Sequence, residues 1–219
     1  MKRFLALWLA LVALTLPVAA MAQDTLGPPP PPEPETVRVA METSLGAIVL
    51  DLDATNAPIT TANFLRYVDE KRFDGTEFYR AMRLDWGEQP NGLIQGGTAH
   101  DPARILDPIA HEPTNETGIR HERGTISMAR YDPGTATGDF SIMLSPQPGL
   151  DAQPDAESPS SRAGFAAFGK VVEGMDVVRA IFDAPVSATK GEGWMRGQML
   201  EQPVRIVRMR RVAGAASTE

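Results

Sequence analysis

The sequence has no cysteine and few histidines, and these shortages exclude several kinds of site. Without a cysteine among its 219 residues, the chain cannot form disulfide bonds, bind a metal through thiolates, or carry a lipid on an N-terminal cysteine. The three histidines, His100, His111 and His121, lack the spacing of a metal site, so each is expected on the surface or at a turn. Ser127 and Ser141 fall in predicted strands without a nucleophile elbow, which argues against acyl transfer.

Positive charge is also scarce relative to negative charge. The chain has 21 Lys and Arg residues against 28 Asp and Glu residues, which gives a formal net charge of −7. Loss of the two cations Lys2 and Arg3 with a cleaved leader would change that charge from −7 to −9. An acidic surface of this kind argues against partners such as nucleic acid and anionic membranes.

The longest apolar run is too short to cross a membrane. Residues 4–16 contain a single polar residue, but a spanning helix needs about 20 apolar residues. A basic pair precedes the run, and Ala20-Met21-Ala22 has the small-x-small pattern of a signal-peptidase site. We therefore expect a cleaved signal peptide at residues 1–22, export, and residence in the periplasm without a membrane anchor. An uncleaved anchor and secretion are the competing interpretations.

One proline-rich segment separates the leader from the rest of the chain. Residues 27–35 read GPPPPPEPE, a composition that forbids helices and favours extended polyproline II. We interpret residues 23–36 as a tether, with a role as a docking ligand as the alternative. The remainder has no internal repeats and suits one domain at residues 37–212, followed by a tail at 213–219. We expect a monomer.

Alternating apolar residues predict a β-rich fold. Val37, Val39 and Met41 recur at every second position, and a Ser-Leu-Gly turn at 44–46 leads into a second strand, so the pair predicts a hairpin. Further short strands are predicted at 77–82, 124–129, 139–144, 166–172 and 203–212.

Two helices are predicted among these strands. One begins at Pro58 and runs to about Glu70, with Asn56 as its capping residue and Phe64 on a buried face. The other follows Gly174 and carries apolar residues along one face. Many short strands with two separated helices predict a mainly β fold, a closed antiparallel β-barrel capped by two helices.

Four motifs in order carry a resemblance to a known family. They are FYR at 78–80, LIQGG at 93–97, RGTISMAR at 123–130 and FGKVVEGMDVV at 168–178. In this order they resemble the cyclophilin family of peptidyl-prolyl cis/trans isomerases, over about residues 37–212, and the exported bacterial members resemble the chain most. The resemblance implies a barrel fold and proline-containing polypeptides as substrates.

The implied reaction needs few groups. Rotation about an X–Pro amide is slow because the nitrogen lone pair is conjugated, with a barrier of about 18–20 kcal/mol. No bond is broken, so no nucleophile, metal or cofactor is required. A cation that hydrogen-bonds the prolyl nitrogen favours the twisted amide. By resemblance, Arg80 is this cation and Gln95 orients it and the substrate. The alternative for Arg80 is an arginine in a surface salt bridge, and the alternative for Gln95 is a polar residue that satisfies the Gly96-Gly97 bend.

The resemblance also implies a set of substrate-binding residues. These are Leu93, Met128, Ala129, Arg130, Asp139, Ser141, Leu150 and Phe165. Residues 128–130 correspond to the strand end that pairs with the peptide, although Met128 also suits the core. Leu150 corresponds to a leucine of the proline pocket, and Leu93 stands where methionine is usual. Asp139 replaces a glutamine of the family pattern. Phe165 stands near a position where family members commonly have a histidine or tyrosine.

The pocket departs from the family pattern in its aromatic residues. Gly92, Ser141 and Gly149 stand where the family has two phenylalanines and a tryptophan, and residues 83–91 look inserted. Trp86 and Trp194 are candidates to refill the gap. Three functions therefore remain open. The first is an isomerase, slowed by its altered pocket, that assists folding of exported proteins, and the second is a non-catalytic proline-peptide binder. An adapter acting through the tether is a third.

Overall fold

The computed structural model describes residues 34–213 of the chain. The predicted signal peptide at 1–22, residues 23–33 of the tether and residues 214–219 of the tail lie outside the described residues. Within the described range, no helix combines the length and the apolar character that a membrane crossing requires.

Eight strands close into one antiparallel barrel, as the alternating pattern predicted. Around the barrel their order is β1-β2-β7-β5-β6-β4-β3-β8. The strands are β1 (Thr36–Thr43), β2 (Gly46–Asp53), β3 (Glu77–Arg83), β4 (Gly92–Gly97), β5 (Thr125–Met128), β6 (Asp139–Met143), β7 (Ala167–Glu173) and β8 (Met199–Arg211). The predicted hairpin is formed by β1 and β2, in which Val39 pairs with Leu50.

Four α-helices and two 3₁₀ turns lie between the strands in the described range. The helices are α1 (Pro58–Asp69), α2 (Thr114–Thr117), α3 (Pro159–Ala163) and α4 (Met175–Asp183), and the 3₁₀ turns are Pro148–Leu150 and Gly193–Met195. The long ones, α1 and α4, are the two that the sequence predicted. The two short helices sit in the loops around β5 and β6, where the sequence has no helical period.

The predicted cap of α1 is wrong. Asn56 makes no side-chain cap, because its amide donates instead to Asp53 at 2.7 Å in the preceding turn. The carboxylate of Glu112, far along the chain, accepts the backbone N–H groups of Ile59 at 3.0 Å and Thr60 at 2.7 Å. A negative charge at this end satisfies free N–H groups and complements the helix dipole, so Glu112 caps the helix in place of a local residue.

Aromatic side chains fill the barrel interior. Phe64, projecting from α1, packs its ring against those of Phe73, Phe140 and Phe168 at centroid distances of 4.8, 5.5 and 5.3 Å. All four are fully buried. The side chains of a strand alternate between its two faces. Every second side chain therefore points into the barrel, and those between them form its outer surface. The candidate site lies on that outer surface.

Candidate functional site

Two rows of cross-strand partners run over the outer face of the sheet formed by β5, β6, β4, β3 and β8. The first, the Arg80 row, consists in order of Ser127, Ser141, Gln95, Arg80 and Met199. The second, the Leu93 row, lies two residues away from the first on each strand and consists of Met143, Leu93 and Met82. Strand pairing thus places a polar row directly beside an apolar one.

The two rows form the floor of a cavity of about 490 Å³, here called the Arg80 cavity. Leu150, Phe165 and Arg130 form part of its wall, and Trp194 and Met195 of the segment before β8 form another part. Its volume lies in the range of about 300–1,000 Å³ that is typical of ligand sites. The lining is mostly apolar and includes five methionines: Met82, Met128, Met143, Met195 and Met199.

Arg80 is held by two glutamines and an indole. Its Nη1 donates to Gln95 Oε1 at 2.6 Å, and its Nε and Nη2 donate to Gln198 Oε1 at 2.9 and 2.6 Å. The centroid of the Trp194 ring lies 4.5 Å from Cζ of the guanidinium. Burial lowers the pKa of Arg80 to about 10, which still leaves it charged at neutral pH. One N–H on each of Nη1 and Nη2 has no partner among residues 34–213.

Gln95 is in turn fixed from its other end. Its Nε2 donates to the Tyr79 hydroxyl at 2.9 Å, and that hydroxyl donates to Asp139 Oδ1 at 3.3 Å. Asp139 also accepts backbone N–H groups of Ala99 at 2.8 Å and His100 at 3.3 Å. Burial raises the pKa of both Tyr79 and Asp139. This chain of bonds fixes the amide of Gln95 with its oxygen toward the arginine.

Comparison with known proteins identifies the family of this chain. A family model described as "Cyclophilin type peptidyl-prolyl cis-trans isomerase/CLD" matches residues 38–211. The chain belongs to this family. A peptidyl-prolyl cis-trans isomerase of Acinetobacter baylyi is 38% identical to this cyclophilin over 173 residues, 77% of this chain and 82% of the relative. Peptidyl-prolyl cis-trans isomerase A of Dickeya dadantii is 34% identical over 185 residues, 82% of this chain and 84% of the relative.

A solved structure supports the fold. The crystal structure of a Cryptosporidium parvum cyclophilin type peptidyl-prolyl cis-trans isomerase matches with a TM-score of 0.62 at 19% identity, covering 83% of this chain and 100% of the other. Together with the family match, the curated relatives make this cyclophilin an enzyme of the peptidyl-prolyl cis-trans isomerase class.

The structure brings almost all the predicted site residues of the cyclophilin to one cavity. Arg80, Gln95, Leu93, Met128, Ala129, Arg130, Ser141, Leu150 and Phe165 all line it. Asp139 does not line it: its side chain is 1% exposed, because the turn after β4 folds over the carboxylate and donates two backbone N–H groups to it. Of the two tryptophans considered, Trp194 lines the cavity and Trp86 does not.

The missing aromatic wall has a backbone cause at one position. Gly92 has φ +139°, and a Cβ there would lie 1.9 Å from the carbonyl oxygen of Met82. Any side chain at this position would collide with that oxygen, so the backbone here requires glycine. At Ser141, by contrast, the small side chain faces the cavity.

Several site residues were missed by the sequence reasoning. Met82 and Met143 lie two residues beyond Arg80 and Ser141 on the same strands, so strand alternation could have found them. Gln198 is 118 residues from Arg80 and belongs to no motif, so nothing in the sequence marks it.

One histidine is buried, contrary to the surface position expected for it. His121 is 1% exposed, and its Nδ1 lies 2.8 Å from Asp151 Oδ1 while its Nε2 lies 2.8 Å from Ser127 Oγ. These partners satisfy both ring nitrogens, which is why a histidine can be buried here. Burial lowers the pKa of His121. Of the three residues, Ser127 belongs to the Arg80 row and lines the cavity, but it is only 1% exposed and lies within a strand, which is a poor position for a nucleophile.

The other two histidines lie nearer to the surface. His100 is exposed and stacks on Tyr131 with ring centroids 5.1 Å apart, and His111 is half-buried with its Nε2 2.9 Å from the carbonyl oxygen of Ala163. Within residues 34–213, no three His, Asp or Glu side chains come together as a metal site would require.

Proposed function

We propose that this cyclophilin catalyses rotation about X–Pro bonds of exported polypeptides and thereby assists their folding in the periplasm. The observation that carries the proposal is Arg80, a buried cation with two N–H donors to spare, in an apolar cavity large enough for a proline ring. The signal-peptide pattern at residues 1–22 supports the exported substrate class.

In the proposed mechanism the proline ring packs on the Leu93 row and Leu150. Rotation of the X–Pro bond breaks the conjugation of the nitrogen, which then becomes a better hydrogen-bond acceptor. A free N–H of Arg80 donates to this nitrogen, so the contact is stronger in the twisted amide than in either planar form. Catalysis results from that difference in binding, and no covalent bond forms or breaks.

The surroundings of Arg80 support this role electrostatically. Gln95 and Gln198 hold the guanidinium at three of its N–H groups, so little reorganisation is needed when the substrate twists. The apolar lining strengthens the bond to the prolyl nitrogen because the local dielectric constant is low. A Cryptosporidium parvum cyclophilin with a TM-score of 0.63 was crystallised in the presence of the dipeptide Ala-Pro, which agrees with an X–Pro ligand for this fold.

A non-catalytic proline-peptide binder is the second candidate, and the pocket favours it in one respect. The positions of three family aromatics hold Gly92, Ser141 and Gly149. Less aromatic contact with the ring weakens the grip on the proline while the rest of the peptide turns. A protein of this kind would bind X–Pro peptides but would not accelerate cis/trans exchange of the X–Pro bond.

The isomerisation rate of short X–Pro peptides tests the proposal. We expect the purified protein to accelerate cis/trans exchange in an NMR exchange assay, and the variant Arg80→Ala to lower kcat/KM by about 10²–10³-fold, the usual effect of removing one transition-state donor. Circular dichroism serves as the folding control. A parent protein that binds the peptides without accelerating exchange is the binder; a variant as active as an active parent contradicts the role of Arg80.

A further inference from the structure

The outer wall of the Arg80 cavity includes an exposed tryptophan. Trp194 stacks on the guanidinium of Arg80 with 4.5 Å between ring centroid and Cζ, yet 72% of its surface is exposed. An indole beside an apolar cavity is a large contact surface, and tryptophan is enriched among residues that dominate binding energy. The other exposed tryptophan of the described range, Trp86, does not reach the cavity.

The segment that carries Trp194 borders open space at two glycines. Gly193 and Gly197 have φ of +54° and +82°, and a Cβ at either position would meet no atom within 4 Å. Gln198 links this segment to the catalytic arginine through a single amide. Its Nε2 donates to the carbonyl oxygen of Trp194 at 3.0 Å, while its Oε1 accepts two bonds from Arg80. The place of the indole and the orientation of the cation are therefore set together.

A peptide bonded to Arg80 must also approach Trp194. The prolyl nitrogen would sit at hydrogen-bond distance from a guanidinium N–H, and the ring centroid of Trp194 is only 4.5 Å from the carbon that bears those groups. The proline ring and the residue before it are the substrate atoms nearest to that nitrogen. Both are therefore within reach of the indole.

We propose that Trp194 is a substrate-contacting residue that gives the Arg80 cavity an aromatic wall, and that Gln198 is the positioning residue that keeps Arg80 and Trp194 in register. The substrate class is an X–Pro peptide held between the Leu93 row and the indole. This inference rests on the proposed function for its ligand, but it makes separate claims about which side chains meet that ligand.

Tryptophan fluorescence tests the contact without requiring catalysis. Outside the predicted leader, Trp86 and Trp194 are the two tryptophans of the chain. In the variant Trp86→Phe, titration with a tetrapeptide containing Ala-Pro should change the emission saturably. In the matched variant Trp194→Phe, the same titration should leave the emission unchanged. A response that survives in Trp194→Phe and is absent in Trp86→Phe overturns the proposal.

Kinetics test the two roles separately. Trp194→Ala should lower kcat/KM by about tenfold, mainly through a higher KM, because a wall is lost. Trp86→Ala, as the matched control, should behave like the parent. A Trp194→Ala variant as active as the parent, or more active, would make the indole a cover over Arg80 and overturn the proposal.

For Gln198, the expected signature is a lower kcat at nearly constant KM in Gln198→Leu, which removes the acceptor of Arg80. Gln198→Glu keeps the acceptor of Arg80 at the same reach but loses the donor to the carbonyl oxygen of Trp194, so it should recover the part of kcat that depends on holding Arg80. Equal losses in the two variants contradict a positioning role. The failure of the proposed function looks different: the parent would then show no acceleration at all, while Trp194 emission would still respond to the peptide.

Discussion

At the scale of single residues, the site depends on how many of the N–H groups of the buried Arg80 have hydrogen-bond partners. Burying an arginine is unfavourable unless its N–H groups find partners, and Arg80 finds two glutamine oxygens and an aromatic face. The two N–H groups left over are strong donors because they belong to a desolvated cation. Ser141 shows the opposite case, a small residue on the cavity floor beside Gln95 that leaves space unfilled.

Ser141→Phe should improve the enzyme by filling that space. The new ring would lie in the Arg80 row, in contact with the proline ring, and we expect KM for an X–Pro peptide to fall by up to about tenfold. Peptide titration and exchange kinetics measure the change. A variant that is folded but binds more weakly would mean that the ring blocks the proline instead of supporting it.

At the scale of elements, motif resemblance and strand pairing decided what could be predicted. The resemblance of the motifs around Arg80 and Gln95 implied that both residues belong to one site, and the two face each other on neighbouring strands in the Arg80 row. The burial of the Asp139 side chain could not be predicted, because it depends on a turn that folds over the strand end. The contact of Gln198 with Arg80 could not be predicted either, since the pairing of β3 with β8 joins parts of the chain more than a hundred residues apart.

That turn after β4 provides a test of Asp139. Ala99 and His100 adopt φ of 49° and 57°, a left-handed conformation that is unfavourable for side chains other than glycine. The carboxylate of Asp139 accepts a backbone N–H from each and the hydroxyl of Tyr79. Asp139→Ala leaves these donors unpaired and should cost about 1–3 kcal/mol of unfolding free energy, measured by urea denaturation.

The same variant should lower kcat, because Gln95 loses the bond chain that fixes its amide. Asp85→Ala, in an exposed loop, is the matched control and should change neither quantity. A stable Asp139→Ala protein with parental kcat would contradict both the role of the carboxylate in the turn and its influence on Gln95.

At the scale of the whole molecule, ionisable groups make the folding stability of the barrel depend on pH. Asp69 and Asp74 pair with arginines of β8 at 2.6 Å, and these bonds hold the pKa of each carboxyl below its usual range. Burial lowers the pKa of His121 and raises that of Asp139. The first three groups bind protons more readily in the unfolded chain, so acid removes the stability they contribute; Asp139 acts in the opposite sense.

Stability should therefore fall with pH in two stages. The contribution of His121 is lost as the pH drops below its unfolded pKa of about 6.5, and that of the paired aspartates is lost below about 4. Urea denaturation at several pH values measures the profile. His121→Gln should flatten the slope between about pH 7 and pH 5; a slope unchanged by this substitution would show that the histidine does not cause the first stage.

Export is tested on the whole chain by its mass. The Ala20-Met21-Ala22 pattern predicts cleavage before Gln23. Mass spectrometry of protein purified from the cell envelope should find a chain that begins at that residue. Protein that retains residues 1–22 would contradict the cleaved leader and, with it, the exported substrate class.

The thioether lining of the Arg80 cavity has a chemical consequence of its own. Five of the ten methionines of the chain surround this one cavity, and the chain has no cysteine that could react with an oxidant first. Conversion of a thioether to its sulfoxide turns a flexible apolar side chain into a polar, chiral one. Each such event would make the surface proposed to receive the proline ring more polar, so methionine oxidation should lower the affinity of the pocket for an X–Pro peptide.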